Sequence, residues 1–297
     1  MRILVTGATG FVGRHFCALA APGAEVLVPR VDITDRAAVL AAMVAAKPDF
    51  CVHLAAIAAN AVAVADAGRA WAVNLFGSIN VANAAVAAGA NLLFISTGEV
   101  YGASFSSGVA LDETAVLQPR NLYAATKAAA EMALAALIPA GLRHIVLRPF
   151  NHIGPGQSAH FVLPAFAGQI ARIEAGLAPP VLAVGNLAPE RDFLDVRDVC
   201  TAYWQAIARF ENLAPGTVLN IASGQPIKIQ SLLDRLLALS PVQIEVEVDP
   251  ARLRGGEMPR AAGDAGLARR LLGWAPTQNL DATLTEILAQ ARNMTGK

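Results

Sequence analysis

Tyr123 and Lys127 stand four residues apart in the run Tyr123-Ala-Ala-Thr-Lys127. On a helix that spacing places both side chains on one face. A lysine ammonium beside a phenol stabilises the phenolate and lowers the tyrosine's pKa towards neutrality, as general acid–base work at pH 7 requires. Upstream, the apolar run Leu93-Phe94-Ile95 ends in Ser96-Thr97-Gly98-Glu99. At the carboxyl end of such a strand Thr97 is placed to hydrogen-bond a reacting oxygen. Thr97, Tyr123 and Lys127 are therefore the candidate catalytic set. A Tyr-x-x-x-Lys pair alone arises often by chance, and a third feature gives it weight. Ile3-Leu4-Val5 runs into Gly7-Ala-Thr-Gly10-Phe11-Val12-Gly13 and then a helix-forming stretch. Glycines between strand and helix permit a tight turn and let backbone N–H groups and the helix N-terminus approach a pyrophosphate. Acid–base residues beside a dinucleotide loop point to hydride transfer.

The second strand addresses which dinucleotide. A carboxylate about 20 residues beyond the glycines bonds the free 2′-hydroxyl of NAD, whereas an arginine there accepts the 2′-phosphate of NADP. Here the strand ends Val28-Pro29-Arg30, and the first carboxylate is Asp32. Arg30 therefore favours NADP(H), with NAD(H) use also open. Asp32 and Ile33 are expected to flank the adenine. Arg14 is either a second charge for the same phosphate or a solvated surface residue.

These residues need a scaffold to position them. Apolar runs at 2–6, 25–28, 50–54, 91–96 and 144–148 alternate with Ala-rich helical stretches at 12–20, 37–46, 70–88 and 123–138. Apolar strands separated by helices predict a parallel sheet covered on both faces, an α/β doubly wound fold of Rossmann type. After Arg148-Pro149 the pattern breaks into loops rich in Gly and Pro. The expected organisation is a dinucleotide-binding domain over 1–150 and about 193–212. A smaller α/β substrate lobe would take about 151–192 and 213–297, at the sheet's carboxyl edge where ligands of such sheets bind.

Composition narrows the partners. Lys plus Arg and Asp plus Glu are 23 each, so no basic excess favours nucleic acid or an anionic membrane. The chain is 55% hydrophobic and 15% charged, which excludes disorder as its main state and leaves apolar surface for an oligomer. The charge-poor, Ala-rich faces of 70–88 and 123–138 predict a homodimer across a two-fold axis. No secretion signal opens the chain, and no apolar run reaches the roughly 18 residues of a membrane span. Cys17, Cys51 and Cys200 lack C-x-x-C spacing and fit reduced thiols, so a cytoplasmic protein is expected. His144, His152 and His160 have no metal-ligand spacing, and no metal is expected.

Taken together, the glycine loop, Thr97, Tyr123 and Lys127 resemble the extended short-chain dehydrogenase/reductases, the NAD-dependent epimerase/dehydratase family. His53-Leu54-Ala55-Ala56 and Asn74-Leu-Phe-Gly77 resemble the same family. The resemblance spans essentially the whole chain and narrows in its second half. Arg148-Pro149-Phe150-Asn151-His152-Ile153-Gly154-Pro155-Gly156-Gln157, Arg191-Asp192-Phe193-Leu194-Asp195-Val196 and Asp249-Pro250-Ala251-Arg252-Leu253-Arg254 look like GDP-4-dehydro-6-deoxy-D-mannose reductases. It implies cofactor contacts from Leu54, Ala55, Ala56 and Pro149 beside the glycine loop. It also implies substrate contacts from Asn151, Val162, Arg191 and Arg254, the arginines gripping a diphosphate through two-oxygen forks. His53 is read as a satisfied strand-end histidine that braces its loop.

Three chemistries use this scaffold: reduction of a keto sugar, 4,6-dehydration and C4 epimerisation. Family dehydratases usually carry Thr-Asp-Glu or Thr-Ser-Glu, an acid and a base beside the threonine. In Thr97-Gly98-Glu99 only Glu99 remains as a candidate base. The resemblance therefore implies reduction at C4 of a nucleotide-linked 4-keto-6-deoxyhexose, GDP-linked, to a product such as GDP-D-rhamnose. A GDP-mannose 4,6-dehydratase-type lyase and a nucleotide-sugar 4-epimerase stand as the alternatives.

Overall fold

The computed structural model describes residues 1–253 and 258–296. The first half contains β1 (Arg2–Thr6), α1 (Phe11–Ala18), β2 (Glu25–Leu27), α2 (Arg36–Ala46), β3 (Phe50–His53) and α3 (Asn60–Ala65). It continues through α4 (Ala67–Trp71), α5 (Ser78–Ala88), β4 (Asn91–Ile95), α6 (Leu122–Ala135) and β5 (His144–Pro149). Next come β6 (Asn151–Ile153), α7 (Val162–Glu174), β7 (Val181–Val184), β8 (Glu190–Asp195), α8 (Val196–Ala208) and β9 (Thr217–Ile221). The chain closes with β10 (Pro226–Lys228), α9 (Ile229–Ala238), β11 (Glu245–Val248), β12 (Arg260–Ala261), α10 (Gly266–Leu272) and α11 (Leu280–Thr295).

Six strands form one parallel sheet in the order β2-β1-β3-β4-β5-β9. Successive strand residues point to opposite faces, so strands covered on both sides are apolar along most of their length. Ile3, Val5, Val52, Leu93, Ile95, Ile145 and Leu147 enter one core. Leu4, Cys51, Leu92, Phe94 and Val146 enter the other. α1 and α8 cover the first face, with Phe16 stacked on Trp204 at 4.6 Å between ring centres. α2, α5 and α6 cover the second. Because the strands are parallel, the loops after β1, β3, β4 and β5 converge at one edge. The strand order reverses at β1, and the crevice at such a switch point is where open α/β sheets bind ligands.

A second layer grows from that edge. β6, β8, β10 and β12 pair with one another, and β7 pairs with β11. α7, α9 and α11 enclose a separate core around Leu163, Phe166, Ile170, Leu232, Leu236 and Leu284. Asp195, at the junction of β8 and α8, receives both Nε and Nη2 of Arg197 and the Thr283 hydroxyl of α11 at 2.6 Å. That buried carboxylate fastens the lobe to the helix beneath the sheet.

Several boundaries differ from the sequence reading, four of them as follows. β9, expected in the second lobe, is the sixth strand of the main sheet: Leu219 and Ile221 are buried, and the strand pairs with β5 from Ile145 to Pro149. β2 stops at Leu27, where Pro29, lacking an N–H, cannot continue a ladder. Helix 123–138 ends at Ala135, and Pro139 sits in a short 3-10 turn at Ile138–Ala140. Helix 70–88 starts earlier and carries a π-helical turn at Ala72–Gly77 between α4 and α5. The whole helix, Ala67–Ala88, is 22 residues and contains an 18-residue stretch with mean hydropathy 1.2, long and apolar enough to cross a membrane. The sequence reading found no such run. Half of that stretch is buried in the protein, as befits a core helix.

Candidate active site

The glycine loop is closed to side chains. Gly7 has φ +73°, and a Cβ on it would stand 2.6 Å from Ala55 N and 2.8 Å from the Leu54 carbonyl carbon. A Cβ on Gly13 would stand 2.6 Å from Ala8 Cα and closer still to the Gly7 carbonyl oxygen. α1 therefore packs directly on the turn that precedes it, and the Leu54-Ala55-Ala56 loop packs against the turn's other side. Gly10 caps α1 without a side-chain hydrogen bond. First-turn N–H groups have no partner within a helix, so the loop is a bare floor with backbone donors at its end. A dinucleotide pyrophosphate fits such a cradle.

Residues around the loop tie it to the second lobe and to α8. Phe11 stacks on His152 with ring centres 6.1 Å apart and planes 5° off parallel. The Val12 carbonyl accepts from the Cys200 thiol at 3.7 Å. Arg14 is exposed, and backbone carbonyls hold its guanidinium. Its Nη1 donates to the Thr9 carbonyl at 2.8 Å and its Nη2 to the Gly156 carbonyl at 3.0 Å.

At the end of β2, Arg30 is exposed and makes no hydrogen bond or ion pair among the described residues. Asp32 is engaged instead. Its Oδ1 accepts from the Thr34 N–H and hydroxyl, and its Oδ2 from Arg69 at 2.9 Å. The Arg69 hydrogen bond leads in holding its carboxyl down at about 2. Ile33, expected beside the adenine, turns into the core. It is 6% exposed, and its Cδ1 lies 2.7 Å from where a Cβ on Gly77 would be.

The fold brings Thr97 and Tyr123 together. Thr97 follows β4, 7% exposed, and its hydroxyl accepts from Glu99 N at 3.2 Å. Tyr123 opens α6, capped by Asn121 Oδ1 on Ala124 N at 2.8 Å, and hydrogen-bonds the Thr97 side chain. Lys127 lies one turn on, 2% exposed, with Nζ 4.3 Å from the centre of the Phe94 ring.

The electrostatics depart from expectation. Burial, reinforced by the Glu99 carboxylate, pushes the Tyr123 phenol above its ordinary value, against the pull of the Thr97 hydrogen bond. Lys127 is itself desolvated, which brings its ammonium down to about 7 while Glu131 pulls it back up. His53 behaves as a bracing residue. Its Nδ1 pairs with the Thr6 hydroxyl at 2.6 Å and its Nε2 with the Ser78 hydroxyl at 3.0 Å. Burial, then the Lys127 charge, holds it neutral with a pKa down at about 3.

Gly98 has a steric reason to be glycine. A Cβ there would lie 2.8 Å from Cδ2 and Cε2 of Phe150. The phenyl ring fills the place where an acid beside Thr97 would sit. Glu99 is exposed, its Oε2 accepting from Asn121 Nδ2 at 2.7 Å, and so stays at the rim near Tyr123.

Of the residues expected to contact substrate, Asn151 opens β6, exposed, and pairs with Phe193 of β8. Arg191 lies two residues upstream on β8, with Nη1 donating to the Glu190 and Met258 carbonyls at 2.9 and 2.8 Å. Val162 begins α7, half-buried, and Pro149 ends β5, buried. Arg254 lies outside the described residues.

A buried polar network behind Lys127 had no signal of its own in the sequence. Arg148 Nη2 meets Glu131 Oε2 at 2.6 Å, Ser96 donates to Glu131 Oε1, and Arg148 Nη1 donates to the Tyr101 hydroxyl at 2.9 Å. Asn74 was legible only as part of a family-like run. From the π-helical turn it accepts from Ile57 N, donates to Ile57 O and reaches the Thr126 hydroxyl, at 2.8, 3.1 and 2.9 Å. It thus staples the loop after β3 to the turn bearing Lys127.

A parallel sheet with a side-chain-free loop at its switch point, and Thr, Tyr and Lys at the adjoining strand end and helix, defines a short-chain dehydrogenase/reductase scaffold. The chain belongs to the NAD dependent epimerase/dehydratase family, whose pattern matches residues 3–222. It is 38% identical to the GDP-6-deoxy-D-mannose reductase of Pseudomonas aeruginosa, over 97% of this chain and 96% of that one. It is 28% identical to the GDP-6-deoxy-D-talose 4-dehydrogenase of Aggregatibacter actinomycetemcomitans, over 92% of each chain. The solved structure of RMD from Pseudomonas aeruginosa complexed with NADPH superposes with a TM-score of 0.89 at 35% identity, covering 99% of both chains.

Proposed function

We propose that this protein reduces the C4 keto group of a GDP-linked 4-keto-6-deoxyhexose, taking GDP-4-dehydro-6-deoxy-D-mannose to GDP-D-rhamnose. The observation that carries the reading is the Phe150 ring against Gly98. Dehydration across C5–C6 needs a proton donor beside Thr97, and that space is filled by phenyl carbon. The two GDP-deoxyhexose relatives supply the base and the sugar.

NADPH is the cofactor of this reading, gripped by the loop of Gly7, Gly10 and Gly13 with Phe11 and Val12, and by Leu54, Ala55, Ala56 and Pro149. Support for NADPH over NADH comes from the free, exposed Arg30 and from Asp32, whose two oxygens are already bonded. The bound dinucleotide supplies the hydride for C4. Tyr123 gives its proton to O4 as the alkoxide develops, and the raised phenol holds that proton until then. Thr97 orients O4 through the hydroxyl it shares with Tyr123. Lys127, protonated, steadies the phenolate that remains and holds the nicotinamide ribose. Asn151, Val162, Arg191 and Arg254 hold the nucleotide sugar, and Glu99 at the rim positions it without serving as the obligatory base.

The reading also takes the protein to be a cytoplasmic homodimer. Phe76 on the π-helical turn is 58% exposed, and Met132 on α6 is 64% exposed. These residues put apolar surface on the two helical faces that the sequence singled out. Three free thiols suit a reducing compartment.

One experiment separates reductase from dehydratase. Keto-sugar formation from GDP-mannose is measured beside NADPH oxidation on the keto sugar, with the product's C4 configuration assigned by NMR. Oxidation of NADPH with inert GDP-mannose is expected, and Glu99→Gln keeps most of that activity. Robust dehydration without net NADPH consumption, abolished by Glu99→Gln, would overturn the reading.

A further inference from the structure

Glu131 is a buried carboxylate, 7% exposed, one helical turn beyond Lys127 on α6. Three donors fix it. Ser96 bonds Oε1, Arg148 Nε reaches both oxygens at 3.1 and 3.2 Å, and Arg148 Nη2 reaches Oε2 at 2.6 Å. Arg148 is 5% exposed and is oriented in turn by Tyr101, whose hydroxyl donates to Asn220 Oδ1 at 2.7 Å. Forked guanidinium bonds keep a carboxylate ionised and aimed. Two buried cations, Lys127 and Arg148, thus share one region with a single carboxylate that acts on both.

We propose that Glu131, clamped by Arg148 and Ser96, is a positioning residue that keeps Lys127 protonated for the reduction described above, an inference that rests on that reading. The other groups around Lys127 do not take this role. His53 on β3 is neutral, and Tyr123 on α6 keeps its proton. Tyr101, beside Arg148, is pushed up to about 12, chiefly by burial. His144 on β5 is lowered by burial. Glu99 acts on Tyr123 from the exposed rim. On the helices outside α6, Arg69 pairs with Asp32 and Asp66 caps α4, both at the surface. Removing the Glu131 charge would leave both buried cations without the carboxylate they share, in a poorly solvated site where an uncompensated charge is costly.

The test reads Lys127 directly. The chain has four lysines, Lys47, Lys127, Lys228 and Lys297, so carbon-13 NMR of Cε-labelled lysine resolves each, with Lys127→Met giving the assignment. In Glu131→Gln the proton affinity of Lys127 is expected to fall tenfold or more. The high-pH loss of keto-sugar reduction should move to lower pH by the same factor. In Arg148→Met the affinity is expected to rise, since the carboxylate then serves Lys127 alone. Opposite signs distinguish charge setting from mere structural damage, and either variant carries the test if the other does not fold. An unchanged Lys127 titration in a variant that still melts cooperatively and binds NADPH would overturn the proposal. The titration uses no substrate, so failure of the wild type to reduce the keto sugar would sink the functional reading separately.

Discussion

Gly10 and Gly13 lie one turn apart on the same loop, yet the structure assigns them different costs. A methyl on Gly13 would meet Ala8 Cα at 2.6 Å and the Gly7 carbonyl closer still, and both are backbone atoms. Carbon contacts settle near 3.5–4.0 Å, so α1 would have to move roughly 1 Å away from the turn. Overpacking of this kind costs about 1–3 kcal/mol. For a chain of this size each kcal/mol lowers the melting temperature by about 2–4 °C, so Gly13→Ala should melt roughly 3–10 °C below wild type. Gly10 differs. Its φ of −71° and ψ of 176° suit alanine, and its Cβ would meet only the Gly7 carbonyl at 3.2 Å. A weaker helix cap and a less flexible unfolded chain then nearly cancel, keeping stability within about 1 kcal/mol. That methyl stands over the floor of the cradle, so NADPH affinity should fall at least about tenfold, or ~1.4 kcal/mol. Differential scanning calorimetry and fluorescence titration with NADPH measure the two effects. A Gly13→Ala protein as stable as wild type, or a Gly10→Ala protein with wild-type NADPH affinity, would refute the reasoning.

Tyr123→Phe should lose about 100-fold or more in turnover, the scale of a missing general acid, while still binding dinucleotide; wild-type turnover would remove Tyr123 from its role. Arg30→Ala should weaken NADPH more than NADH by about 1–3 kcal/mol, the worth of a charge-assisted contact; equal losses would show that Arg30 does not read the 2′-phosphate. Burial lowers the pKa values of His53, His144 and His152. The unfolded chain therefore binds more protons below the ordinary histidine value of 6.5. Stability should fall as pH drops through that value, and His53→Gln should flatten the denaturant-midpoint profile there; a profile flat from pH 7 to 5 in wild type would contradict this. The homodimer reading expects a dimeric mass by light scattering at micromolar concentration, reduced by Phe76→Glu with Met132→Glu; a monomeric wild type would end it.

The alternation of apolar runs and Ala-rich stretches was enough to place the sheet strands through β5, because a strand covered on both faces reads as a nearly continuous apolar run. The glycine loop and the Tyr123–Lys127 pair were legible for a similar reason: each depends on residues adjacent in the chain and on one local geometry. What tertiary structure decided lies between distant segments. β9 joined the main sheet because Leu219 and Ile221 found β5, a pairing no local pattern records. Spacing put Lys127 on the tyrosine's face, but its burial and the Glu131 carboxylate that acts on it came only with the packed structure. Arg14, exposed as one of its two readings had it, also bonds the Gly156 carbonyl 142 positions away. The choice of chemistry also waited on a contact across the fold. In sequence Gly98 is only a missing acid, but packed against Phe150 it is a place no acid can enter without displacing a buried ring.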